Sequence, residues 1–494
     1  MKCNSNSWNT QLLWASTLAI AALLAGCSSS SETEIQPSQS QAEEISLPQA
    51  DALFGIWERT GYGDVLVVDE TGADFFQYNQ MGCVETDRLD NNDIADVFNE
   101  PQLSADGASL ITKFTENLPF DTHFERLVAL PLLCESNALI TDNSPTATFE
   151  YLWHTFNDYY AFFSERAVDW DAQYAEIRPL VTDSLSNDEL AEALVALLDP
   201  LDDGHISLVD GDGDGFYDGG EPRGAIRAIL DSFGEQTEFD SAQAYANYLV
   251  ENYRANLASY FDDGSSTEVI FGTDNENDGA LWATMRDQQV GYLQWDRMEE
   301  IASNGDESLE ADLSAVNTIM QNVLNDLQDT SAMIIDIRVN PGGDDAIGFA
   351  IANYFTDEER LVVSKTTRSI MGNTNIVEAT IGPASDSPYL QPVVVIAASD
   401  TSSAAEVFLM AMSALPNVTL VGENSHGIFS NILEKSLPNG WGFSLSNEVY
   451  TDFMGINHEG TGIPPDIEAA TFSVEAITQN IDPAIEAALE TLGF

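Results

Sequence analysis

Between Val290 and Val421 the chain alternates short apolar runs with longer amphipathic ones, and few folds accept that pattern. Val290–Leu293, Met333–Ile337, Val393–Ala397 and Val418–Val421 read as strands. Leu309–Leu327, Ala346–Phe355 and Ala404–Leu415 read as helices between them. Strands that alternate with helices predict a parallel sheet covered by helices, an α/β core. With 494 residues the chain is too long for one hydrophobic core, so further domains are expected before this one.

The preceding sequence changes character three times. Residues 144–288 read mainly as helix: Phe149, Leu152, Trp153, Phe156, Tyr160 and Phe163 share one helical face. Ser186 and Glu189 form a capping-box pattern ahead of Leu190, Leu194 and Leu197. That helix leads into Asp202-Asp203-Gly204-His205 and a strand at Ile206–Leu208. Residues 49–143 show short apolar runs separated by turn residues, which predicts a small β-rich domain. It contains Cys83 and Cys134, either a disulfide or two buried thiols. Residues 28–48 are rich in Ser, Gln and Glu and read as a flexible linker.

The first 27 residues read as a targeting segment. One lysine, Lys2, precedes the apolar run Leu12–Leu24, which is too short to span a bilayer as a mature helix. It ends in Leu24-Ala25-Gly26-Cys27, similar to the bacterial lipobox, in which the cysteine is diacylated and becomes the mature N-terminus. That resemblance implies a lipid anchor on Cys27 and a place in the bacterial cell envelope, periplasm or outer membrane. An ordinary signal peptide with a chance cysteine is the alternative. The charge balance, 82 acidic against 17 basic residues, gives a net charge of -65. Such a surface repels nucleic acid, which is set aside as a partner.

Three segments bear on chemistry. Val393–Ala397 runs into Ala398-Ser399-Asp400-Thr401-Ser402-Ser403-Ala404-Ala405-Glu406, a strand, a polar turn and a helix start. A serine there meets the free N–H groups and partial positive charge of a helix N-terminus, which stabilise an oxyanion. On this segment alone, Ser402 or Ser403 reads first as an N-cap, ahead of a nucleophile. Ile334–Val339 runs into Asn340-Pro341-Gly342-Gly343, whose glycines let backbone approach a ligand closely. Glu459–Ile467 is a loop by composition.

Together these segments resemble the tail-specific, or C-terminal processing, serine proteases and the related tricorn core proteases. Asp336–Gly343 looks like the family's "DLRxNPGG", Ser403-Ala404-Ala405-Glu406 like its nucleophile motif, Val421-Gly422-Glu423 like its "VGE", and Gly462–Asp466 like its "GxxPD". The resemblance spans roughly two-thirds of the chain and implies a core like that of crotonase and Clp protease. The lysine of the Ser-Lys subgroup is replaced by Ile428, Lys435 is out of phase, and no PDZ pattern lies between His205 and Val290. The tricorn-like subgroup uses a serine, a histidine and a glutamate instead. The implied roles are Ser403 as nucleophile, His205 as base and Glu459 as its support, with an oxyanion hole from Gly342 or Gly343 and Ala404. Where the tricorn protease has a serine before the histidine, this chain has Gly204, and Ser207 or a water is the expected substitute link. His426 is the second choice for the base. Glu406 reads as helix-end charge or packing. The implied activity is an endopeptidase acting on peptides or proteins. An inactive module of the same fold, binding peptides or small hydrophobic ligands, is the rival.

Asp210-Gly211-Asp212-Gly213-Asp214-Gly215-Phe216-Tyr217-Asp218-Gly219-Gly220-Glu221 fits the EF-hand calcium-loop spacing. Its expected ligands are Asp210, Asp212, Asp214, the Phe216 carbonyl, Asp218 and Glu221, holding one structural calcium. An acidic turn in an acidic chain is the alternative, and the residues before it read as strand rather than helix.

Overall fold

The structure, a computed structural model, describes residues 51–494 except 91–97, 114–119, 222, 235–237, 273–277, 304, 307 and 386. The signal segment, the linker and Cys27 lie outside the described residues.

The core is a seven-stranded sheet in the order Thr267–Ile270, Gly279–Met285, Val290–Trp295, Ala332–Asp336, Val393–Ala397, Val418–Gly422, Ile467–Glu468. Its first two pairings are antiparallel and the rest parallel. Ala332–Asp336 and Val393–Ala397 are buried along their whole length, as central parallel strands must be. Helices Leu309–Leu327, Asp345–Ala352 and Ala404–Ser413 pack on one face through Val316, Met320, Phe349 and Phe408. Helix Pro483–Leu492 closes the other face with Ile485 and Leu489 against Ile334 and Val394. The chain is therefore mixed α/β, as expected.

Helix Pro145–Tyr159 buries Phe149, Leu152 and Phe156 against Leu190, Leu194 and Leu197 of helix Asn187–Leu198. The second helix carries the Ser186–Glu189 capping box. Helices Gly224–Phe233 and Ala242–Ala258 follow. Between these pairs, strands Ser207–Val209 and Gly215–Asp218 join Ile432–Ser436 and Gly442–Ser446 in a four-stranded sheet. Segments far apart in sequence thus meet in one sheet, next to His205.

Residues 55–127 form a seven-stranded antiparallel sheet around Trp57, Leu66, Phe98 and Phe124. Cys83 and Cys134 are disulfide-bonded, with Cα atoms 5.0 Å apart. This sheet is fastened to the core by polar bonds: Lys435 Nζ donates to the Tyr62 carbonyl and to Asp64, and Tyr159 Oη donates to the Tyr78 carbonyl. Among the described residues, no helix is long and apolar enough to cross a membrane.

Candidate active site

The strand Val393–Ala397 ends at a turn held to its neighbour: Thr401 Oγ1 donates to the Ile337 carbonyl at 2.9 Å, and the Ser402 amide to the Asn340 carbonyl at 3.1 Å. Ser402 Oγ donates to the Pro341 carbonyl at 2.7 Å, so its hydroxyl is structural. Ser403 comes next with φ 54° and ψ -126°. A non-glycine residue there is strained by about 1–3 kcal/mol, a feature of nucleophile turns between strand and helix. Its Oγ lies 3.2 Å from His205 Nε2, across 198 positions of sequence.

His205 sits just before strand Ser207–Val209, which fixes its backbone. Ser444 Oγ donates to the His205 carbonyl at 2.8 Å, and the His205 amide donates to Asp203 Oδ1 at 2.9 Å. Burial lowers the imidazole pKa, opposed by the Asp203 charge and reinforced by Arg166. The ring is thus held neutral, as a base requires. Its buried Nδ1 has no hydrogen bond of good geometry among the described residues, although the Ser430 backbone reaches toward the ring.

Glu459 is buried nearby, but both its oxygens are engaged elsewhere. Oε1 accepts from Arg166 Nη2 at 2.7 Å and Oε2 from the Phe429 amide at 2.9 Å. Burial, then the Asp203 charge, push its pKa up to about 8 against the pull of Arg166. The expected link through Ser207 is not made, because Ser207 Oγ pairs with Ser444 Oγ.

Of the expected oxyanion donors, the Gly342 amide is occupied by Asn340 Oδ1 at 2.9 Å. Gly342 is needed for another reason. At φ 106° a Cβ would lie 2.7 Å from Ser403 Cβ, so only glycine lets the turn touch the nucleophile. The amides of Gly343 and Ala404 have no acceptor among the described residues.

Glu406 is more than a helix-end charge. Fully buried, it accepts from Ser425 Oγ (2.6 Å), the Gly427 amide (2.7 Å), the Ile428 amide (2.9 Å) and the Ser403 amide (3.2 Å). It ties the nucleophile to the 425–428 loop, whose Ile428 carbonyl also accepts from the Ser403 amide. Burial pushes its pKa up to about 7.

The alternative bases are placed elsewhere or lack the contact. Lys435 is buried against Asp64, and Ile428 packs beside Gly204 where the dyad lysine would stand. Among the described residues His426 makes no bond to Ser403, and its buried Nε2 has no partner. Burial holds its pKa near 4.

The acidic loop is a hairpin in the structure. Asp210 Oδ1 accepts from the amides of Asp212 and Asp214, closing the turn. Strand pairing then sets Asp218 opposite Ser207, about 10 Å along the strand from Asp210. The Glu221 amide donates to Asp202 Oδ1, which keeps Glu221 at the far end as well. The six expected ligands therefore do not surround one point, and no group of three or more His, Cys, Asp or Glu side chains among the described residues is placed to hold a metal. Gly219 and Gly220 have a packing role: a Cβ on Gly219 would fall 2.1 Å from the Asp203 carbonyl oxygen, and one on Gly220 3.3 Å from Gly204.

Residues 289–469 match Peptidase family S41, and residues 142–199 match the tricorn protease C1 domain. The chain carries an S41 peptidase domain. Carboxyl-terminal-processing proteases of Picosynechococcus sp. and Synechocystis sp. are 27% and 28% identical to it over 183 and 209 residues. Those alignments cover 36% and 42% of this chain, and the chain spans only 39% and 44% of the two relatives. A solved structure from Parabacteroides merdae superposes with a TM-score of 0.54 at 24% identity, covering 72% of this chain and 98% of its own, which shows a shared fold.

Proposed function

We propose that the protein is a serine endopeptidase that cleaves peptide bonds through an acyl-enzyme. The observation that carries this is the 3.2 Å approach of Ser403 Oγ to the neutral His205 ring at a strained turn beside unpaired amides. His205 Nε2 takes the Ser403 proton as Oγ attacks the carbonyl carbon, then returns it to the departing amine. The amides of Gly343 and Ala404 hold the developing oxyanion. Glu459 acts at one remove, fixing Arg166 and the Phe429 amide around the base.

Substrates are peptides or proteins, in keeping with the S41 domain. We further propose a lipid anchor on Cys27, which would tether the enzyme in the cell envelope. Calcium at Asp210–Glu221 is a proposal resting on sequence spacing, and it requires the hairpin to open so that Asp218 and Glu221 reach the tip. The deciding experiment for the activity is a fluorophosphonate probe with mass-spectrometric mapping. The expected adduct is on Ser403. Absence of labelling in folded protein would favour a binding module.

A further inference from the structure

We propose that Asp203 is the positioning residue that stabilises the His205 imidazolium, a role the usual serine–histidine–carboxylate arrangement gives to a residue bonded to the ring. The inference rests on the acyl-enzyme reading above and concerns the same site.

The base gains a proton during acylation, so a nearby negative charge lowers the barrier. Two carboxylates are candidates. Glu459 gives its oxygens to Arg166 Nη2 at 2.7 Å and the Phe429 amide at 2.9 Å, and burial pushes its pKa up to about 8, so at neutral pH it brings little negative charge to the ring. Asp203 is fully buried; among the described residues its oxygens accept from the His205 amide at 2.9 Å and Tyr160 Oη at 3.0 Å, and Arg166 feels its charge without a bond to it. One residue of separation places it beside the histidine whatever the rest of the site does, and Gly219 and Gly220 pack backbone directly onto its turn.

The groups that face the ring from each packed element agree with this. Asp203 favours the charged ring, and so does the Ser430 backbone of the 425–430 segment. Arg166, from the turn after helix Pro145–Tyr159, opposes it. His426 is neutral at working pH, and Ser403 supplies the proton itself. Glu406 faces the Ser403 amide on the other side of the nucleophile.

The test measures the His205 pKa by NMR titration in a Ser403→Ala background, which needs no turnover, and the pH dependence of kcat/KM in the active enzyme. Asp203→Asn keeps an acceptor for the His205 amide and a partner for Tyr160, and it removes only the charge. It should lower the His205 pKa by about one unit or more and reduce kcat with KM little changed. Tyr160→Phe removes a bond but no charge and should not lower the His205 pKa. Glu459→Gln should lower it less than Asp203→Asn does. A larger fall in Glu459→Gln, or none in Asp203→Asn, overturns the proposal. If Asp203→Asn fails to fold by near-UV circular dichroism, the Glu459→Gln titration decides: a fall of a full unit there refutes the assignment, and a small one supports it. Failure of the wild type to label with fluorophosphonate would refute the peptidase reading separately, since the titration does not depend on it.

Discussion

Replacing Glu406 with glutamine separates what this side chain does for stability from what it does for Ser403. Its carboxylate takes four donors, two per oxygen. A glutamine can satisfy only one of the two pairs. The cheaper flip turns its NH2 toward Ser425 Oγ, which can rotate and accept, and leaves the Gly427 amide without an acceptor. An orphaned buried amide costs about 1–3 kcal/mol. Against this stands the cost of the buried charge. The folded pKa is raised from 4.5 to about 7, so the folded state holds a proton that the unfolded chain has released. Stability from this group is present at low pH and is lost as pH rises toward 7; a gap of that size is roughly 3 kcal/mol at pH 8. A neutral isostere escapes that cost, and the two effects nearly cancel. Glu406→Gln should therefore melt within a few degrees of wild type at pH 8. Catalysis has no such compensation. The Ser403 amide and the loop that accepts from it lose their charged anchor, and a displacement approaching 1 Å costs on the order of a hundredfold. The assays are a thermal melt and the second-order rate of fluorophosphonate labelling at pH 8. Unchanged labelling would show that Glu406 does not hold the nucleophile. A loss of stability well above 3 kcal/mol would show that the ionised carboxylate is what the fold requires.

Ser403→Ala should abolish peptide cleavage while Ser402→Ala, whose hydroxyl only braces Pro341, stays mild; equal losses would refute the assignment of the nucleophile. Glu459, Glu406, Asp345 and Asp296 all have pKa values pushed up by burial, to about 8, 7, 7 and 7, so stability should fall as pH rises from 5.5 to 8.5, and a flat melting profile would contradict those shifts. Self-repulsion from a net charge of -65 acts in the same direction. Reducing the Cys83–Cys134 bond, which spans 51 residues, should destabilise the N-terminal sheet by roughly 4 kcal/mol, read by denaturant unfolding with and without reductant. If the Asp210–Glu221 loop binds calcium, excess chelator should lower the melting temperature by mass action; an unchanged value with no calcium by elemental analysis leaves the loop an acidic hairpin.

The core was legible because its elements carry their own period. Val393–Ala397 and Leu309–Leu327 begin and end in the structure at the residues the pattern indicates. Helix Asp345–Ala352 stops short of Phe355, since Asn353–Phe355 tightens into a 3₁₀ turn. The candidate nucleophile and base, Ser403 and His205, are singled out by spacing that resembles a family, and the structure sets them 3.2 Å apart. What that resemblance could not carry was which polar group each one bonds. The Gly342 amide was expected in the oxyanion hole, yet Asn340 two residues earlier takes it in an Asx turn, a signal present in Asn340-Pro341-Gly342. The place of Glu406 on a helix suggests only helix-end charge or packing, whereas three of its four donors lie about 20 residues further on, beyond any local rule. The Asp210–Glu221 spacing leaves two readings open for a physical reason. Alternating acidic residues suit a calcium loop and the tip of a hairpin equally, and in the structure the flanking strands pair Ser207 with Asp218. The same pairing brings Gly219 and Gly220 onto the Asp203 turn. Gly219 and Gly220 thus follow from close packing on the turn that carries His205, whether or not a cation ever binds beside it.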